Sequence, residues 1–178
     1  AWSSGGNWSE GYPPVDGQSG VVEHSMTLSS STASMDALVV NNGGITCSGW
    51  DTVIQATNVT LNGGTLTHTI NSDDSASGGW VPDARVYIDA VDVTINSGAT
   101  IDVDAKGWYG AKGWLHGLGE PGRGPGGSHN AKAGASYGGE GDGGDPPQGT
   151  VYGSVLRADL PGSGGGNWSN ATSDSGGN

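Results

Sequence analysis

Hydrophobic and polar residues alternate most plainly between Val91 and Lys106, VDVTINSGATIDVDAK. Val91, Val93 and Ile95 alternate with Asp92 and Thr94, a turn of Asn96, Ser97 and Gly98 follows, and Ile101 and Val103 then alternate with Asp102 and Asp104. This period of two predicts two short strands, each with one apolar and one polar face. The phrase recurs upstream, as LVVNNGGIT over 38–46 and as VTLNGGTLT over 59–67. Asn41 and Asn62 are 21 residues apart, about one coil of a parallel β-helix, and Asn62 and Asn96 are 34 apart, one coil with an insertion of about a dozen residues.

The expected fold is therefore all-β: a right-handed parallel β-helix, or solenoid, with an irregular glycine-rich C-terminal insertion. Residues 1–20, which carry Trp2, Trp8, Tyr12, Pro13 and Pro14, read as a cap over the first coil, because an uncovered solenoid end exposes apolar bore and unpaired strand edges. Residues 21–106 read as coils, with Val21 to Leu28 as the first strand and a Ser-rich turn at Ser29 to Ser34. Asn41, Asn62 and Asn96 fall at equivalent positions, where stacked amides can hydrogen-bond from coil to coil. His68 shares a face with Leu66 and Ile70 and should point inward, as a hydrogen-bonded core histidine rather than a ligand. Asn71 to Asp83 has loop composition and interrupts the period.

Residues 107–178 hold 23 of the 36 glycines and lose the alternation except at Thr150 to Leu156. Trp108, Tyr109, Trp114, Leu115, Leu118, Tyr137, Tyr152, Val155 and Leu156 are spread through this stretch, more anchors than a linker carries. It reads as ordered but irregular, with glycines letting backbone approach backbone.

A hydrophobic fraction of 33% with no Phe excludes a broad core but suits a narrow one to which each coil adds a few Val, Ile or Leu side chains. Eighteen acidic against six basic residues give a formal charge of −12, which excludes sequence-independent nucleic-acid binding and invites divalent cations, or simply keeps an extracellular protein soluble. Cys47 stands alone, so no intrachain disulfide forms, and it reads as a small core residue. No run of 18 apolar residues spans a membrane. A first residue Ala1 suits a mature secreted chain, or a boundary chosen for another reason.

The order INSGATIDVDAKGWYG, GPGGS, ASYGGEGDGG, VYGS and GSGGG resembles the glycine-rich module of large secreted bacterial surface proteins, adhesin-like or autotransporter-like chains with parallel β-helix domains. The opening GGNWSEGYPPVDG is similar to the segment that precedes the coils in such proteins. The resemblance implies an extracellular or cell-surface structural role and no catalytic motif. In that family GSGGG leads into a returning strand, whereas here the sequence ends at Asn178. The expectation is a piece of something longer, or a strand supplied by a neighbouring subunit.

The candidate chemistry is limited. Asp92, Asp102 and Asp104 on adjacent polar faces, and Glu140, Asp142 and Asp145 in GEGDGGD, offer oxygen ligands for calcium. His116, Glu120, His129 and Asp142 match no metal or acid–base spacing, and no G-x-S-x-G, H-E-x-x-H or P-loop pattern is present. The aromatic residues Trp80, Trp108, Trp114, Tyr137 and Trp168 suit loop anchors and subunit contacts, or platforms for sugars. Asn7, Asn58, Asn167 and Asn170 sit in N-x-S/T sequons. Thr65, Thr67 and Thr69 admit an ice-binding face, although threonines do not recur at a constant coil position. The sequence thus points to a non-enzymatic, secreted structural protein that self-associates as an adhesin segment or fibre subunit, stabilised by calcium. The alternative is a carbohydrate-binding or polysaccharide-lyase-like β-helix.

Overall fold

The computed structural model describes residues 1–72, 79–111, 122–127, 134–141, 149–157 and 159–166. They divide into two compact units: Ala1–Thr69 with Asp83–Val103, and Ile70–Pro82 with Asp104–Asn178.

The first unit is all-β. After a single 3-10 turn at Gly5–Asn7, its strands are β1 (Ser19–Val22), β2 (Met26–Leu28), β3 (Met35–Val40), β4 (Gly44–Cys47), β5 (Ile54–Leu61), β6 (Gly64–His68), β7 (Ile88–Ile95) and β8 (Ala99–Ile101). They form two four-stranded parallel sheets, β1-β3-β5-β7 and β2-β4-β6-β8, so every odd–even pair gives one strand to each sheet. There are four such pairs where the Asn-Gly phrases announce three. The stretch from Val21 to Leu28 is two strands rather than one, with Glu23 to Ser25 between them.

Register places like residues in rows. Gly20, Leu38, Val59 and Val93 make one row, and Val22, Val40, Leu61 and Ile95 another. Met26, Ile45, Leu66 and Ile101 do the same in the second sheet. Leu38, Val40, Ile45, Val59, Leu61 and Leu66 are buried and belong to one hydrophobic cluster. Each fully buried aliphatic side chain is worth about 1.5–3 kcal/mol, so a narrow set of rows suffices for a unit poor in apolar residues. Cys47 lies fully buried in this cluster, and burial pushes its thiol up to about 11. His68 is also buried, with its Nδ1 2.7 Å from the Thr69 carbonyl oxygen, as expected of a core histidine.

Simple alternation fails at one point. On β5, Ile54 and Ala56 are buried, Thr57 and Asn58 are both exposed, and Val59 and Leu61 are buried again. The strand changes face parity between Ala56 and Val59, and β7 follows it in register. Val91 therefore does not share the inner face of Val93 and Ile95: it is 78% exposed, and Ala90, paired with Ala56, takes the inner position.

Tight turns between strands rest on glycine. Gly64 has φ of +74°, and a Cβ there would run into the Gly43 carbonyl of the preceding pair, so only a residue without a side chain lets the turns stack this closely.

In the second unit no described residue forms a strand or helix. Backbone bonds join its segments, among them Trp108 N–H to Gly162 O (3.0 Å), Ala111 N–H to Gly165 O (3.0 Å), Arg123 N–H to Tyr109 O (2.9 Å), Gly164 N–H to Arg123 O (2.8 Å) and Ser136 N–H to Gly126 O (2.8 Å). The Ser136 hydroxyl, buried, donates to Gly149 O at 2.6 Å and accepts from Gly141 N–H at 3.1 Å. The expected alternation over 150–156 gives no strand, and Val155 and Leu156 are exposed at 79% and 88% rather than anchored.

Candidate functional site

The two ends of the strand unit differ, and this difference defines the site. At the first pair, Trp2 N–H donates to Thr27 O on β2 at 2.8 Å, which satisfies part of that sheet edge. Trp2 is buried, and the Trp8 indole donates to its carbonyl at 2.8 Å, with the two rings edge to face at 4.8 Å. Gly20 completes the plug: a Cβ there would come within 2.9 Å of Pro14 Cγ and 3.6 Å of the Trp8 ring. Two indoles and a proline thus close over a glycine beside β1 and β2.

Beside the plug runs a groove of about 500 Å³ lined by Trp8, Glu10, Tyr12, Gln18, Val21 and Glu23, among others. It offers two aromatic rings with carboxylate and amide groups. Sequence reasoning named Trp8 and Tyr12 only as cap residues.

At the last pair, β7 and β8 are the outer strands of their sheets. Val93, Ile95 and Ile101 are exposed at 47%, 49% and 39%, whereas their row neighbours Val59, Leu61 and Leu66 are 1–2% exposed.

A polar ladder joins the ends. Asn96 Nδ2 donates to Asn62 Oδ1 at 2.7 Å, and Asn62 Nδ2 donates to Asn41 Oδ1 at 2.9 Å. Asn41 Nδ2 donates to one Glu23 carboxylate oxygen at 2.7 Å, and Asn42 Nδ2 to the other at 3.1 Å. The Asn41 donor first, and then Asn42, hold the Glu23 carboxyl below the ordinary glutamate range. The three asparagines are the expected ladder, and Glu23 is a rung that the Asn-Gly phrase does not show. Its signal is the match of Val21-Val22-Glu23-His24 to Val39-Val40-Asn41-Asn42, 18 residues on.

A further polar feature lies on the same unit. The Arg85 guanidinium sits 4.4 Å from both the Trp50 and Tyr87 ring centres and donates from Nε to Trp50 O at 2.9 Å. A cation between two rings fixes the turn after β4 against the entry to β7.

The expected calcium ligands fall on different elements where they are described. Asp92 is exposed on β7, in register with Asn58, and Asp102 follows β8 in the other sheet, its N–H bonded to Leu66 O at 2.9 Å. Asp104 and Glu140 belong to the second unit, and Asp142 and Asp145 lie outside the described residues. Among the described residues, no three His, Cys, Asp or Glu side chains are grouped as a metal site.

Of the aromatic candidates, Trp108 is 1% exposed and anchors the second unit, 6.3 Å from Trp80 and 6.2 Å from Tyr152, which in turn meets Tyr137 at 4.9 Å. The Tyr152 hydroxyl donates to Pro161 O, and burial pushes its pKa up. The Trp108 indole N–H has no hydrogen-bond partner among the described residues. These rings act on one another as anchors, while Trp114 and Trp168 lie outside the described residues. Among the described residues no helix is long and apolar enough to cross a membrane. No family model, curated protein or solved structure matches this chain.

Proposed function

We propose that the two sheets are faces of one right-handed parallel β-helix, each strand pair a turn, and that the chain is a structural module of a secreted, cell-surface protein. The right hand is the one parallel crossovers take. In this reading the module is an adhesin segment or fibre subunit, non-enzymatic, plugged at its first turn and joined to other material at its last. The observation that carries it is the row of Glu23, Asn41, Asn62 and Asn96, polar side chains committed to holding layers in register. Such layers transmit load along their stacking axis and suit an extended scaffold.

The test is location and form. In the cells that make it, an epitope-tagged chain should be cleaved by external protease and labelled by gold at the surface, including in calcium-free medium. Labelling confined to the cytoplasm overturns the reading. A carbohydrate-binding role is favoured by one observation, the groove with Trp8 and Tyr12 on its wall. Glycan-array binding that is lost in Trp8→Ala supports it, and its absence, together with no unsaturated sugar product, removes it.

A further inference from the structure

The chain holds two Asn-Gly dipeptides, Asn42-Gly43 between β3 and β4 and Asn62-Gly63 between β5 and β6. This pair is chemically labile, because glycine has no side chain to shield the backbone nitrogen that follows the asparagine amide. Register makes the two sites unequal. Leu61 lies beside Val40, so Asn62 falls beside Asn41, and Gly63 beside Asn42. Asn62 is a ladder rung: its amide donates to Asn41 at 2.9 Å and accepts from Asn96 at 2.7 Å, and the Gly63 N–H donates to Val40 O at 3.3 Å. Asn42 stands beside the ladder. Its amide donates once, at 3.1 Å, to Glu23, the carboxylate on which the ladder ends. Gly43 is exposed, and its N–H donates to no backbone carbonyl among the described residues.

We propose that Asn42 is a self-modification site, at which the folded chain converts asparagine into aspartate and isoaspartate with water as the only co-reactant, while the ladder protects Asn62. The Gly43 nitrogen gives up its proton to solvent and attacks Asn42 Cγ. The new C–N bond closes a five-membered succinimide, and the side-chain amide group takes a proton from solvent and departs as ammonia. Water then opens the ring. Attack at Cγ leaves aspartate in the ordinary chain, and attack at the backbone carbonyl leaves isoaspartate, whose main chain is one carbon longer. The sum is ammonia lost and water gained, with no change of oxidation state.

Both products act on the first strand pair. Each sets a carboxylate where an amide had donated to Glu23, so Glu23 exchanges a donor for a like charge. The extra carbon of isoaspartate enters a turn without room for it. Gly43 has φ of +71°, and a Cβ there would lie 2.4 Å from backbone atoms of His24 and Ser25. Conversion is therefore a one-way loosening of the end that carries the plug.

The test is to age the full folded chain for weeks in mildly alkaline ¹⁸O-labelled water and to map conversion by mass spectrometry, with a urea-unfolded sample in parallel. Similar rates at the two sites are expected in urea. In the folded chain Asn42 should convert at least about tenfold faster than Asn62, which has one more side-chain bond and a backbone bond to break before the ring can close. Asn96→Ala, at the exposed last pair, should speed conversion of Asn62 and leave Asn42 unchanged. Converted chains, separated by charge, should have a lower thermal midpoint, as should Asn42→Asp. Equal folded rates at the two sites, an Asn42 that stays intact in the folded chain, or a converted fraction with the native midpoint overturns the proposal.

Discussion

The strand unit and the glycine-rich unit solve one problem, holding a chain poor in large apolar residues, by opposite means. In the strand unit the backbone is satisfied by two parallel ladders, and side chains meet in rows of like residues. In the glycine-rich unit, where 23 of the residues in 107–178 are glycine, scattered backbone bonds tie segment to segment, and a few rings supply the apolar contact. The first arrangement repeats and can be extended, because each layer presents the surface on which the next is laid. The second closes on Trp108 and has no period along which to grow.

The sharpest way to break this comparison is at Trp108. Trp108→Ala should cost the glycine-rich unit about 3–5 kcal/mol, read by hydrogen exchange of its amides while the strand amides keep their protection. Trp108→Phe should recover much of the loss, since it also removes an indole N–H that has no partner among the described residues. Equal deprotection of both units would show that they do not melt separately.

Glycine contact comes next. A Cβ at Gly126 would strike the Ser136 carbonyl and the Tyr152 ring, whereas one at Gly139 meets nothing within 4 Å. Gly126→Ala should therefore destabilise by about 3 kcal/mol and Gly139→Ala by no more than about 0.5 kcal/mol, both from denaturant midpoints. If the two variants behave alike, close backbone approach is not what orders this unit.

In the strand unit the corresponding polar cut is smaller. Asn62→Ala removes one accepted and one donated ladder bond at the surface, and a loss of about 1 kcal/mol is expected from thermal or denaturant unfolding. The smallest effect is that of pH. The Glu23 carboxyl is held low when folded, so its contribution is present above the ordinary glutamate range and is lost as pH falls through its folded pKa. The thermal midpoint should fall across that acid window in the native chain and be flatter there in Glu23→Gln. An identical acid profile in the two would mean that the ladder terminus adds nothing measurable.

How much of this was legible followed from periodicity. Alternation and the repeated Asn-Gly turns exposed six of the eight strands and the amide ladder, because both are written at fixed spacing. The first pair was hidden: Glu23 replaces the asparagine, and the turn Glu23-His24-Ser25 has no glycine to mark it. The parity change at Thr57 and Asn58 was hidden too, since Val91, Val93 and Ile95 obey a period of two while the backbone does not. The plug depends on Pro14 meeting Gly20, a contact that no periodicity announces. In the glycine-rich unit nothing repeats, so tertiary contact alone decides which rings are covered.

The interval between rows is 18 residues from Val22 to Val40, 21 from Val40 to Leu61 and 34 from Leu61 to Ile95, yet the strands meet in register each time. Lengthening a closed loop raises its entropic cost only logarithmically, by about 0.6 kcal/mol per doubling. Residues 70–82, which leave the strands after β6 and return before β7 and belong to the second unit, are therefore accommodated while β5 and β7 keep their register.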